Sequence, residues 1–218
     1  MTTAPHAPVR YLTVAESASR RDSAVAQPLV SERAYSRRPD VPRETLAYVA
    51  PDAGSKLLAI LATPPLVTSG ERTLARVRMA AEFIGSTSVI VGNLLEVATK
   101  DVREIATVGR APECWRDSRE SLEAGIAAAD SVLFAWGCAE PTGPARHHHR
   151  AQVAWIMDVL QMRVLPYWTF GGRPRHPSRW QRYTSREHPG SPFSTALAAS
   201  LQLEQAGRDP SFDLAMRC

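Results

Sequence analysis

Cysteine is scarce: Cys114, Cys138 and Cys218 are the only three. An odd number without a Cys-x-x-Cys spacing argues against a disulfide framework and against a cysteine zinc site, so a reducing cytoplasm is the expected setting. No apolar run approaches the roughly 20 residues of a membrane span. The Arg20-Arg21 pair lacks the apolar segment that follows it in a secretion signal, so no membrane partner is expected. Lysine is nearly missing too. Lys+Arg total 26 against 22 Asp+Glu, and all but Lys56 and Lys100 are arginine, the side chain suited to forked contacts with phosphate or carboxylate. The net charge of +4 allows an anionic ligand but falls well short of the basic face of a dedicated nucleic-acid binder.

What is present is enough apolar residue, 44% of 218, for one well-cored domain. Residues 1–28 are rich in Ala, Ser, Thr and Pro and read as a flexible arm, 29–206 as a single α/β domain and 207–218 as a tail. Early in the domain, "ERAYS" and "TLAYVA" read as two short strands around a turn on "RPDVP". Four continuous apolar runs follow: "KLLAILA" (56–62), "TSVIVG" (87–92), "SVLFAWG" (131–137) and "RVLPYW" (163–168). Continuous apolarity means burial on both faces, as in a parallel sheet covered on each side. The intervening segments carry helical stripes, including Leu74, Val77, Ala81 and Ile84 before a C-capping Gly85, and Leu122, Ile126 and Ala129 after Pro112. A last helix is expected in "STALAASLQLEQAG" (194–207). The alternation predicts a three-layer α/β/α sandwich around a mainly parallel, four-stranded sheet.

In such a sheet ligands bind beyond the carboxyl ends of the strands. Those ends lead into "ATPPLVTSG", "NLLEVATKD", "WGCAEPTGPARHHHR" and "WTFGGRPRHPSRW", whereas the opposite connections "GSTS" and "ADS" are short and bland. The unusual residues therefore gather on one rim. His176 stands between Pro174 and Pro177, which fix φ on both sides and hold the imidazole on a stiff loop. Arg175 and Ser178 flank it. Asn93 either caps a turn or offers the paired donor and acceptor that read a base edge. Trp136 is core or a ligand wall, and Gly137 lets a ligand approach the backbone. Thr63 with Pro64 is a stiff turn or part of the site, and Glu96 and Glu71 are the nearest carboxylates. In "RHHHR" (146–150), consecutive histidines on a helix point about 100° apart, so a metal site is not expected. Arg146 and Arg150 at a helix start can instead attract a phosphate.

The ordered set "ERAYSRR", "LAILATPP", "VIVGNLLEVATKD", "VLFAWG" and "GGRPRHPSRW" resembles a bacterial and phage family known only as domain of unknown function 1643, over roughly residues 31–180. More distantly, the layout is similar to the uracil-DNA glycosylase superfamily. That resemblance implies a glycosylase-like fold in which Thr63-Pro64 falls on the loop that positions the attacking water, Asn93 on the base-reading Asn, and His176-Pro177-Ser178 on the loop that stabilises the departing base. Thr63 stands where many of those enzymes have a carboxylate. The implied function is an enzyme acting on a nucleobase, nucleoside, nucleotide or nucleic acid, most simply an N-glycosidic hydrolase, with catalytic Thr63, Asn93 and His176. Ligand contacts are expected at Pro64, Glu96, Trp136, Gly137, Arg146, Arg150, Arg175 and Ser178, without cofactor or metal. The alternatives are a nucleotide or nucleic-acid binding protein without turnover, and an enzyme of specialised metabolism using the same fold on another small molecule.

Overall fold

The computed structural model describes residues 9–11, 54–65 and 70–205. The expected strands in "ERAYS" and "TLAYVA", most of the arm and the 207–218 tail lie outside these residues. The described chain is α/β. Its strands are β1 (Val9–Tyr11), β2 (Lys56–Leu61), β3 (Ser88–Asn93), β4 (Ser131–Phe134), β5 (Pro166–Phe170) and β6 (Leu201–Gln205). Its helices are α1 (Gly70–Ile84), α2 (Val102–Val108), α3 (Glu113–Arg116), α4 (Arg119–Ala128), α5 (Pro144–Arg163), α6 (Trp180–Glu187) and α7 (Phe193–Ser200).

The sheet runs β1-β3-β2-β4-β5-β6. The first four pairings are parallel and β6 is antiparallel to β5, so the sheet is mixed. The four apolar runs form its centre as expected, but four strands undercount it. Five lie between Lys56 and Gln205, and Val9–Tyr11 adds a sixth beside β3. The helix expected over 194–207 stops at Ser200, and "LQLEQ" becomes the edge strand. Its alternation of Leu with polar residues suits a strand exposed on one face, and pairing with β5 outweighs the helical preference of Leu, Gln and Glu.

Alternate strand residues feed two apolar clusters, one on each face. Leu58, Ile60, Ile90, Val132 and Phe134 meet Ile105, Trp115, Leu122, Ile126 and Ile156 from α2 to α5. Leu57, Ala59, Val89, Val91 and Leu133 meet Val77, Ala81, Trp180 and Leu197 from α1, α6 and α7. Among the described residues no helix is long and apolar enough to cross a membrane.

Candidate functional site

The chain leaves the carboxyl end of β2 toward β3 on one side, and that of β4 toward β5 on the other, although β2 and β4 are neighbours. Loops that part in this way open a crevice between them. A cavity of about 510 Å³ lies there, lined by Ala62 and Thr63 after β2, Leu94 after β3, Trp136 and Gly137 after β4, and Arg175, His176 and Ser178 after β5. Thr63, Trp136, Gly137, Arg175, His176 and Ser178 are thus brought together as the sequence suggested. The Thr63 hydroxyl lies 3.1 Å from that of Thr99, which also lines the cavity.

The loop from Gly171 to Arg179 is fastened at several points. Phe170 stacks on Trp180 at 4.5 Å, and the Trp180 Nε1–H donates to the Arg175 carbonyl at 2.8 Å. From α1, Arg76 donates through Nη1 to the Pro177 carbonyl at 2.8 Å. The Gly137 N–H donates to the Pro174 carbonyl, so the turns after β4 and β5 are joined. Gly171 has φ of 61° and lies so close to the Tyr183 ring that a Cβ would overlap it. The Arg175 guanidinium lies 4.3 Å from the Tyr183 ring centroid.

His176 caps the short 3-10 turn Pro177–Arg179. Its Nδ1 accepts from the Ser178 N–H at 3.2 Å and lies 2.9 Å from the Ser178 hydroxyl. An Nδ1 that accepts places the proton of the neutral ring on Nε2. Burial, helped by the charges of Arg179 and Arg76, holds the imidazole below its ordinary pKa. His176 is therefore a neutral donor at the cavity wall.

The other expected residues are placed elsewhere. Asn93 does not line the cavity; its neighbour Leu94 does. Strand alternation gives Asn93 the parity of Val89 and Val91, which join the opposite cluster. Its Oδ1 is buried with no hydrogen-bond partner. Pro64 is half-buried outside the lining. Glu96 accepts from the Ser121 hydroxyl at 3.0 Å, and Glu71 is exposed on the first turn of α1. Arg150 forks onto Glu140, with Nη2 at 2.7 Å and Nε at 2.9 Å, and Arg146 approaches the same carboxylate at 3.7 Å. Glu140 thus occupies both arginines that were expected to meet a phosphate, and Arg150 holds its carboxyl below the usual range.

Sequence reading passed over several residues of the lining. His149 is the most consequential. It lies one helical turn from buried Ala145 on α5, lines the cavity and meets Trp115 edge-on at 5.8 Å. Burial drives its pKa down to about 4, with Glu140 opposing the shift and Arg150 adding to it. The signal is a stripe through Ala145, His149, Gln152 and Ile156 on the helix that begins at Pro144, which the metal and phosphate readings of "RHHHR" leave unused. Lys100 and Arg179 add positive charge to the lining. Its one carboxylate, Asp101, accepts from the N–H groups of Arg103 and Glu104 and caps α2. Among the described residues no three His, Cys, Asp or Glu side chains are grouped to hold a metal.

Residues 52–178 match the family described as protein of unknown function DUF1643. The chain belongs to this family. The matched span begins just before β2 and ends at Ser178, so it contains nearly all of the cavity lining. No curated protein and no solved structure matches the chain.

Proposed function

We propose that this DUF1643 protein acts on a nucleobase-containing substrate in the cytoplasm as an N-glycosidic hydrolase, on a three-layer α/β/α sandwich resembling that of the uracil-DNA glycosylases. The observation that carries the reading is His176. A neutral imidazole whose proton is fixed on Nε2 by the Ser178 N–H, at the wall of a cavity, is suited to stabilise charge developing on a departing base. Preorganised donors of this kind contribute several kcal/mol to a transition state. Trp136 and Trp115 give the cavity flat apolar walls, and Lys100, Arg175 and Arg179 favour an anionic substrate. The test is release of free base from a panel of nucleosides, nucleotides and uracil-containing oligonucleotides, resolved by chromatography. Release by the natural protein and its loss in His176→Ala supports the reading; no release from any member sinks it.

A second reading, binding without turnover, is favoured by one observation. Thr63 stands where a water-activating carboxylate is expected, and Asp101 is engaged as a helix cap. Under that reading, thermal stabilisation by a nucleotide survives although base release is nil.

A further inference from the structure

Two neighbours on one face of α5 treat their polar atoms differently. Gln152 is fully buried and fully engaged: its Oε1 accepts from Arg119 Nε at 2.9 Å, and its Nε2 donates to Ser118 Oγ at 3.0 Å and to the Leu94 carbonyl at 3.4 Å. His149, one turn earlier, has an Nδ1 that is sealed from solvent and bonded to nothing. A histidine kept for packing alone would be expected to have its nitrogens satisfied within the fold. Nε2 of His149, by contrast, is neither sealed nor hydrogen-bonded among the described residues, and the ring lines the cavity.

This arrangement selects a tautomer. A buried N–H without an acceptor is rarer and less tolerated than an under-used lone pair. The favoured neutral form therefore keeps the lone pair on the sealed Nδ1 and the proton on Nε2, where the cavity can solvate it. His176 reaches the same state by another route, because its Nδ1 accepts from Ser178. Both rings stay uncharged near neutral pH, since burial lowers the pKa of each.

We propose that His149 is a specificity-determining residue, the second neutral N–H donor of the cavity after His176, and that the ligand carries acceptor oxygens, carbonyl or oxyanion, where these two donors meet it. Amino groups at those positions would face N–H against N–H and leave buried donors unpaired, which a site built on hydrogen bonds rejects strongly. The inference rests on the nucleobase reading only for the kind of ring that bears the oxygens.

The test uses the full chain labelled with ¹⁵N. Long-range ¹H–¹⁵N correlation spectra of the six histidines give each tautomer directly, with His149 assigned by its loss in His149→Gln. The expected result is the Nε2–H form for both His149 and His176 at pH 7. Xanthine and adenine are then compared by the same spectra and by thermal shift, with acetate and inorganic phosphate as ring-free oxygen acceptors. Xanthine is expected to bind at least tenfold more tightly than adenine. His149→Gln, which keeps an N–H donor near that position, retains the preference, and His149→Phe loses most of it.

A proton found on Nδ1 of His149 in the natural protein overturns the proposal, whether or not His149→Phe folds. So does an undiminished xanthine preference in a folded His149→Phe. Shifts of both Nε2–H signals with acetate or phosphate, but with neither purine, leave the donor pair standing and remove a purine as the ring that bears the oxygens. No movement of the His149 signal with any of the four compounds removes the proposal itself.

Discussion

A methyl group placed on Gly137 would stand 3.7 Å from the Cβ of His176, so the turn that leaves β4 and the loop that leaves β5 are in van der Waals reach at the cavity wall. The same two segments share the hydrogen bond from the Gly137 N–H to the Pro174 carbonyl. Residues about forty positions apart in sequence are thereby held as one unit.

That contact leaves room for a methyl group, but the backbone does not favour one. Gly137 has φ of 104°, a conformation that costs a residue with a Cβ about 1–2 kcal/mol. Gly137→Ala is expected to lower the melting temperature by roughly 2–8 °C in a domain of this size and to weaken ligand binding by displacing His176. Calorimetry and ligand titration check both effects; an unchanged melting temperature would show that the turn relaxes freely.

His176 is expected to make affinity for the proposed ligand depend on pH. Protonation puts a hydrogen on Nδ1, against the N–H of Ser178 that now donates to it. Because the folded-state pKa is lowered, affinity is expected to be flat from pH 8 to 7 and to fall only below the ordinary histidine range. Ser178→Ala keeps that N–H, so its affinity should stay within about threefold of the natural protein, each factor of ten being about 1.4 kcal/mol. A sharp rise in affinity on acidification would contradict this assignment.

His149 makes stability depend on pH with the same sign. Its pKa falls from 6.5 to about 4 on folding, so the unfolded chain takes up a proton first as the solution is acidified. The stabilisation is complete above pH 6.5 and is lost as the pH falls toward 4, by on the order of 3 kcal/mol in all. Urea titrations across that interval should show the loss in the natural protein and a shallower slope in His149→Gln. Equal slopes would mean that other groups carry the acid limb.

Gln152 anchors α5 to Ser118, Arg119 and the carbonyl that ends at Leu94. Gln152→Ala leaves these buried partners unsatisfied and opens a void, an expected loss of about 2–4 kcal/mol. Denaturant unfolding measures it directly. A loss under 1 kcal/mol would show that water replaces the amide.

Trp180 is fully buried and tied to the Arg175 carbonyl. Trp180→Phe preserves the stack on Phe170 but removes the indole donor, so stability should fall by about 1 kcal/mol. Greater protease sensitivity between Gly171 and Arg179 should accompany it. Unchanged cleavage there would show that Arg76 and Gly137 suffice to hold the loop.

The sequence by itself determined the centre of the sheet and the rim at which the unusual residues gather. Four short apolar runs bounded by turn residues mark the central strands, and stiff or polar residues such as Pro64, Gly137 and His176 follow their carboxyl ends. Local pattern carries that much because burial and turn chemistry are written in adjacent residues. The edge strand β6 was not legible, since a short alternating "LQLEQ" becomes a strand only when β5 offers it a ladder. Which rim residues meet was also decided by tertiary structure. Strand parity separates Asn93 from Leu94, and Glu140 draws Arg146 and Arg150 to itself. The first turns of α5 carry His149 to the wall beside Trp115. Each of these depends on where a side chain points once the layers have packed, which no spacing along the chain fixes.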